Sequence, residues 1–178
     1  MKISNIFAIE KPYLWAVRYE EEQFNEWRRL FAAWYDQNYL RSFFEAKSSD
    51  GKTIRYYNGN KWLTYTIEEA IEITQETAQH MNNDIIKYAG GNGYTLASKF
   101  KPLDNRYIKE ANEMKSKKYW LRIYAIRIDH NLFVVSGGAI KLTEKMDRPH
   151  LVMELEKLEL TRNFLMDKDD NLELFELF

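Results

Sequence analysis

Residues 117–143, KKYWLRIYAIRIDHNLFVVSGGAIKLT, constrain the fold more than any other stretch of the chain. From 119 to 128 the run is rich in Tyr, Trp, Leu, Ile and Ala, residues that suit a pleated, half-buried surface. Asp129-His130-Asn131 then supplies three turn formers, and the apolar pattern resumes at Leu132. The stretch therefore predicts two adjacent strands. Successive strand side chains point to opposite faces, so Leu121, Ile123 and Ala125 share one face and Arg122, Tyr124, Ile126 and Ile128 the other. Gly137-Gly138 interrupts the second strand and predicts a bulge or the close approach of another element. Beyond it, Lys141 and Thr143 alternate with Ile140 and Leu142. Arg122 and Lys141 are thus cations set into apolar strands. A single one is explained by a long side chain snorkelling past a strand edge, whereas several together suggest an anion-binding face.

The charge distribution adds to that suggestion. A net charge of −1 conceals −2 over residues 1–93 (11 basic, 13 acidic), +6 over 94–150 (12 and 6) and −5 over 151–178 (3 and 8). The basic third is the one that carries the strands, and contact with phosphate is dominated by Lys and Arg. The 178 residues can bury a real core as one domain, and 45% hydrophobic with 15% aromatic content excludes disorder for most of the chain. The absence of cysteine excludes disulfides, thiol catalysis and Cys-ligated metals. No apolar run approaches membrane-spanning length, and Ser4, Asn5, Glu10 and Lys11 interrupt any signal-peptide core, so a cytoplasmic protein with no membrane partner is expected.

The first 93 residues read as mainly helical. Residues 12–19 (PYLWAVRY) predict a first strand, with Pro12 where a missing N–H does least harm. Glu20-Glu21-Glu22 is expected to open a helix whose Phe24, Trp27, Phe31, Trp34 and Tyr35 form an aromatic core face. Asp36-Gln37-Asn38 breaks it, and 39–46 continue as a second short helix. In TIRYYNGNKWLTYT the Asn58-Gly59 pair between β-favouring runs predicts a hairpin, read as a small surface ribbon. Thr66, with Glu69 three residues on, predicts a capping box opening a long helix over 67–88, ended by Gly90-Gly91-Asn92-Gly93. His80 and Asp84 sit one turn apart, but two ligands without a third do not make a metal site, and none is expected. Residues 96–100 suggest a helical turn, and 104–118 a charged loop leading into the strands.

After Thr143, Asp147-Arg148-Pro149 is a helix start, and the helix is expected to run to about Leu165. Leu151, Leu155, Leu158 and Leu165 form one stripe, while Met153, Leu160 and Phe164 form a second on roughly the opposite side. Such a helix is expected to lie between the sheet and the N-terminal aromatic helix. Residues 167–178 combine five acids with Leu172, Leu174, Phe175, Leu177 and Phe178, either completing the core or masking the basic segment. The fold class that follows is α+β: a single domain, 1–178, with a small, mainly antiparallel sheet over 94–178 packed with N-terminal helices and a closing C-terminal helix.

Leu121-Arg122-Ile123-Tyr124, a turn, an apolar strand, Gly-Ala-Ile-Lys141-Leu-Thr143, a proline and an acidic-leucine helix together resemble the C-terminal half of RelE-superfamily toxins, nearest the phage Gp49-like or HigB-like branch. Lys99-Phe100-Lys101-Pro102-Leu103 is similar to the basic segment that precedes the sheet in that family. The resemblance covers residues 96–165. It implies a toxin of a type II toxin–antitoxin system, a metal-independent mRNA endonuclease without cofactors. The implied partners are mRNA or the ribosome, and a small helix-turn-helix antitoxin. Its chemistry would be attack of a ribose 2′-OH on the adjacent phosphate, requiring a base, a phosphate clamp and a leaving-group acid. Arg122 matches the strand arginine of that family and Lys141 its strand lysine. Tyr124 joins them as a catalytic candidate from placement, with Arg127, Arg148, Lys99 and Lys101 as substrate-binding candidates. Two other readings stay open: a non-catalytic RelE-like module that binds RNA or a protein, and an interaction protein that docks through its aromatic N-terminal half.

Overall fold

The computed structural model describes residues 1–103 and 113–166. The protein is α+β. In chain order its elements are β1 (Ile3–Glu10), β2 (Leu14–Tyr19), α1 (Glu26–Tyr35), α2 (Gln37–Lys47), β3 (Thr53–Tyr57), β4 (Trp62–Thr66), α3 (Ile67–Ala89), a 3₁₀ turn (Leu96–Ser98), β5 (Lys101–Pro102), β6 (Glu113–Lys118), β7 (Leu121–Asp129), β8 (Leu132–Ile140) and α4 (Pro149–Met166). A six-stranded sheet runs in the order β1-β2-β8-β7-β6-β5, and β3 and β4 form a separate hairpin. Every contact in the large sheet is antiparallel except β2 with β8.

The period-two reading of β7 places the core. Leu121, Ile123 and Ala125 pack with Leu14, Ala16, Phe133 and Val135 against the aromatic and aliphatic faces of α1, α2 and α3, including Leu30, Phe31, Trp34, Phe44, Ile71 and Ile85. Tyr124 and Ile126 join Trp15, Val17, Tyr19 and Val134 on the other face, covered by Leu151, Leu158 and Leu165 of α4. Each such aliphatic side chain removed from water is worth ~1.5–3 kcal/mol, which holds helices on both faces of the sheet. Trp120 lies fully buried where the hairpin meets the sheet. Phe44, Tyr56, Tyr65 and Tyr119 surround its ring at centroid distances of 5.2–6.0 Å, and its indole N–H donates to Thr74 Oγ1 at 2.9 Å.

Local signals fix several boundaries. Asn25 caps α1 by accepting from the Arg28 N–H, and Asp36 ends α1 while capping α2 through the N–H groups of Asn38 and Tyr39. The expected capping box opens α3: Thr66 Oγ1 accepts from the Glu69 N–H, and the Glu69 carboxylate accepts from the Thr66 N–H. Gly59, in the β3–β4 turn, has φ +105°, a conformation side chains disfavour.

Other boundaries differ from the expectations. The first strand is β1, not the segment from Pro12: register shifts at both of its ends break the alternation that would reveal it. Helix α1 begins at Glu26 rather than at Glu20-Glu21-Glu22. Residues 113–118, read as charged loop, form β6, which gains its order by pairing with β7 from Glu113↔Ile126 to Lys118↔Leu121. Tyr119 and Trp120 are not strand residues but the turn between β6 and β7, with Tyr119 at φ +50°. Helix α4 packs on the sheet face opposite α1–α3 rather than between sheet and α1, and Met153, assigned to its second stripe, is exposed. The C-terminal segment 167–178 and residues 104–112 lie outside the described residues.

The double glycine combines both expectations. Tyr124 pairs with Gly137 but Ala125 with Val135, so a bulge sits at Ser136. A Cβ at Gly137 would meet the Glu154 carboxylate and one at Gly138 would meet the Arg122 carbonyl and Leu30 Cδ1, so two helices approach bare backbone there.

Candidate nucleic-acid interface

Strand register assembles a row of cations on the α4 side of the sheet. Directly opposed residues share a face, and Lys117 opposes Arg122 while Lys115 opposes Tyr124. Lys141 follows the end of β8, and its N–H donates to the Trp120 carbonyl at 2.8 Å, which brings it beside the β6–β7 turn. The result is a cleft of about 250 Å³ lined by Lys115, Lys117, Arg122, Tyr124 and Lys141, with Tyr57 of the hairpin on its rim. Glu144 is the one carboxylate in its lining among the described residues.

Arg122 is the anchor of the cleft. It is 7% exposed, and its Nη1 donates to the carbonyls of Tyr119 (2.6 Å) and Leu121 (2.8 Å). Burial pulls its pKa below the ordinary value, and it has no ion pair with a carboxylate among the described residues. Lys117 is also pulled down, by burial first and by the Arg122 charge second, so these two cations sense one another. Tyr124 forms the floor: it is buried, with its hydroxyl 3.5 Å from Met146 Sδ.

The remaining sequence-predicted residues divide. Lys101 pairs with Lys115 across β5–β6 and extends the same row outward. Lys99 is elsewhere, 3.6 Å from Asp84 and with its ammonium 4.0 Å from the Tyr88 ring centroid. Asp84 is thereby occupied with lysines, Lys118 lying at 4.0 Å, rather than with His80. Arg127 opposes Phe133, on the face that packs against α1–α3, and so is not part of the cleft. Arg148 lines a neighbouring cleft with Lys47 and Arg55. Sequence reasoning missed Lys115 and Lys117. Their signal was the alternation in Lys115-Ser116-Lys117, hidden because the surrounding charge reads as loop.

A cavity of about 1000 Å³ lies between α1–α2 and α4. Beside it Glu26 takes a bidentate pair from Arg29 (2.7 Å each), and Lys157 bridges Glu26 (3.1 Å) and Glu154 (3.3 Å). Burial raises the Glu154 carboxyl, with Lys157 opposing, and burial pushes the Tyr19 phenol up, its hydroxyl donating to the Ser136 carbonyl at 2.8 Å. Two carboxylates and two cations cancel there, so this cluster joins α1 to α4 without offering net charge to a ligand. Among the described residues no helix is long and apolar enough to cross a membrane, and no group of three or more His, Asp or Glu could hold a metal ion. No protein-family model, curated protein or solved structure matches this chain.

Proposed function

We propose that this protein is a RelE/HigB-like toxin that grips and cleaves mRNA at the cationic cleft of β6, β7 and β8. The observation that carries the reading is the convergence of Arg122 and Lys141 with Lys115 and Lys117 in one cleft. Arg122 and Lys141 would hold the non-bridging oxygens of the scissile phosphate. The ribose 2′-oxygen attacks phosphorus, giving its proton to a base. The bond to the 5′-oxygen breaks, and that oxygen takes a proton, leaving a 2′,3′-cyclic phosphate and a 5′-hydroxyl. Lys117, which lines the cleft and whose ammonium is made more acidic by burial and by Arg122, would carry the proton. The expected partners are the ribosome and a small helix-turn-helix antitoxin that covers the cleft.

One observation favours the second reading, an RNA-binding module without cleavage: Tyr124, the tyrosyl candidate, is buried with its hydroxyl toward Met146. The test separates the two. Purified protein is incubated with end-labelled mRNA, with and without ribosomes, and fragments are examined for 2′,3′-cyclic phosphate ends. The combined Arg122→Ala, Lys141→Ala variant should lose two to three decades of rate, as removal of a preorganised transition-state charge costs ~3–4 kcal/mol. Binding without cleavage by the wild type would leave the module reading, and neither binding nor growth arrest on induction would end both.

A further inference from the structure

The β3–β4 hairpin, read from sequence as a surface ribbon, has an inner and an outer face. Ile54 and Tyr56 are buried, with Leu63 and Tyr65 packed against the same core. By the register Arg55↔Thr64 and Tyr57↔Trp62, the outer face carries Arg55, Tyr57, Trp62 and Thr64. Trp62 is 46% exposed, an unusual place for the largest side chain when the hairpin core does not use it. Its ring lies 5.4 Å from that of Tyr57, and the Arg55 guanidinium sits 4.9 Å from its centroid. An aromatic surface with a cation stacked on it is what an unpaired base and its phosphate require.

The surroundings continue the pattern. A cleft of about 590 Å³ runs from this face to the start of α4, lined by Lys47, Arg55, Trp62, Thr143, Arg148 and His150 among others, and no carboxylate lines it among the described residues. Of the acids next to its lining in sequence, Glu144 lines the Arg122 cleft. Asp50 is held by its own loop, accepting from the N–H groups of Lys52 and Thr53 and from two hydroxyls, and Asp147 sits beside Arg148 itself, 4.0 Å away on the exposed surface. Burial lowers the pKa of His150, its hydrogen bond with the Ile140 carbonyl opposes this, and Lys47 and Arg148 add to the lowering, so both cations lie near this ring. Thr143 lines both this cleft and the Arg122 cleft, and the Tyr57 N–H donates to the Leu142 carbonyl at 2.9 Å, so the hairpin is fastened beside the other cations.

We infer that the outer hairpin face and the cleft beside it form a second subsite, which takes the nucleotides flanking the scissile phosphate of a single-stranded RNA. A base stacks on Trp62, and the adjoining phosphates lie on Arg55, Arg148 and Lys47. The substrate class is single-stranded RNA because a ring stacked on tryptophan must be free of its helical neighbours, whereas a duplex keeps its base faces covered. This subsite rests on the proposed RNA reading of the Arg122 cleft and extends it by several nucleotides.

The experiment is fluorescence anisotropy with a non-cleavable 2′-O-methyl dodecauridine, free or annealed to its complement, at several salt concentrations. Trp62→Ala should weaken single-strand binding by about tenfold, the range for loss of one stacked base, and Trp62→Phe should restore most of it. Arg55→Ala and Arg148→Ala should each lower the salt slope by ~0.7, one phosphate contact on a single strand. Because Trp62 is exposed, its replacement leaves the core intact, and circular dichroism should match the wild type. If all three variants bind as the wild type does while Arg122→Ala with Lys141→Ala abolishes binding, the subsite is wrong and the Arg122 cleft stands. If the duplex binds as tightly as the single strand, stacking is wrong. No binding by the wild type removes both the subsite and the function on which it rests.

Discussion

Lys157→Met isolates the charge of the cluster that joins α1 to α4. The Lys157 ammonium lies 3.1 Å from Glu26 and 3.3 Å from Glu154 and is almost wholly buried. Methionine keeps most of the stem, so little packing is lost and the change is one of charge. Glu26 retains its bidentate arginine, but Glu154 is left with Arg29 at 4.0 Å, and its Oε2 already has no hydrogen-bond partner among the described residues. The least costly response of the variant is to protonate Glu154. From the ordinary carboxyl value of 4.5 to neutral pH is about 2.5 units. At about 1.36 kcal/mol per unit the cost is at most ~3.4 kcal/mol, and the wild type already bears part of it because burial raises its Glu154 carboxyl too. A carboxyl whose pKa is raised by folding contributes most below its unfolded value, and that contribution is lost as pH rises through the folded value. The deficit relative to wild type should therefore be ~2–3.4 kcal/mol at pH 7 and shrink to ~1 kcal/mol at pH 5. Urea denaturation followed by tryptophan fluorescence at both pH values measures it. A deficit under ~1 kcal/mol at pH 7, or an equal one at both, refutes the reasoning, as does a Lys157→Met, Glu154→Gln double variant no more stable than the single one.

Thr66→Ala removes the side-chain half of the α3 capping box and should cost ~1 kcal/mol, read as a shift in urea midpoint at unchanged slope. Gly138→Ala places a Cβ against the Arg122 carbonyl and Leu30, a backbone neighbour that cannot rotate away; it should cost ~2 kcal/mol or more and lower the thermal midpoint by several degrees.

The strands and helices were legible where one local rule decided them. The alternation in β7, the Asn58-Gly59 turn, the capping box and the proline start of α4 are contained within a few residues each, and the structure places elements there. Legibility failed where partners decided. β6 is a lysine-rich strand of weak intrinsic preference, ordered by hydrogen bonds to β7. Tyr119 and Trp120 have strong strand propensity but form the turn, because the Trp120 ring is claimed by Phe44, Tyr56, Tyr65 and Thr74, 46 to 76 residues away in sequence. The α4 stripes suggested two apolar sides, but Met153 of the second is exposed, and Glu154 and Lys157 are buried instead because they find partners in Glu26 and Arg29 across more than 120 residues.

The candidate site shows the same division and explains what the fold adds to it. Parity along β7 picks Arg122 as a cation among apolar neighbours, but the same reading sets Lys141 within the second strand, whereas β8 ends at Ile140 and Lys141 reaches the cleft through its N–H bond to the Trp120 carbonyl. Parity could not say that Arg122 would be tied by one nitrogen to the carbonyls of Tyr119 and Leu121. A guanidinium is a planar fork with five N–H donors, and anchoring through Nη1 leaves others to meet an anion. The side chain is therefore held in place by the fold itself, and on the proposed reading the ordering cost that a free surface arginine would meet on binding a phosphate falls on folding instead. The positive-φ turn at Tyr119 belongs to the same device: its carbonyl also accepts from the Tyr56 hydroxyl at 3.0 Å, so the hairpin that carries Trp62 and the arginine that faces the cleft are fixed to one backbone oxygen. Loss of that shared contact should thus be felt on both sides: on the proposed RNA reading, Tyr56→Phe, which removes the hydroxyl and leaves the ring, should weaken binding at both subsites together, while Trp62→Ala, which leaves the contact intact, weakens only one, as anisotropy with the same oligonucleotide would show.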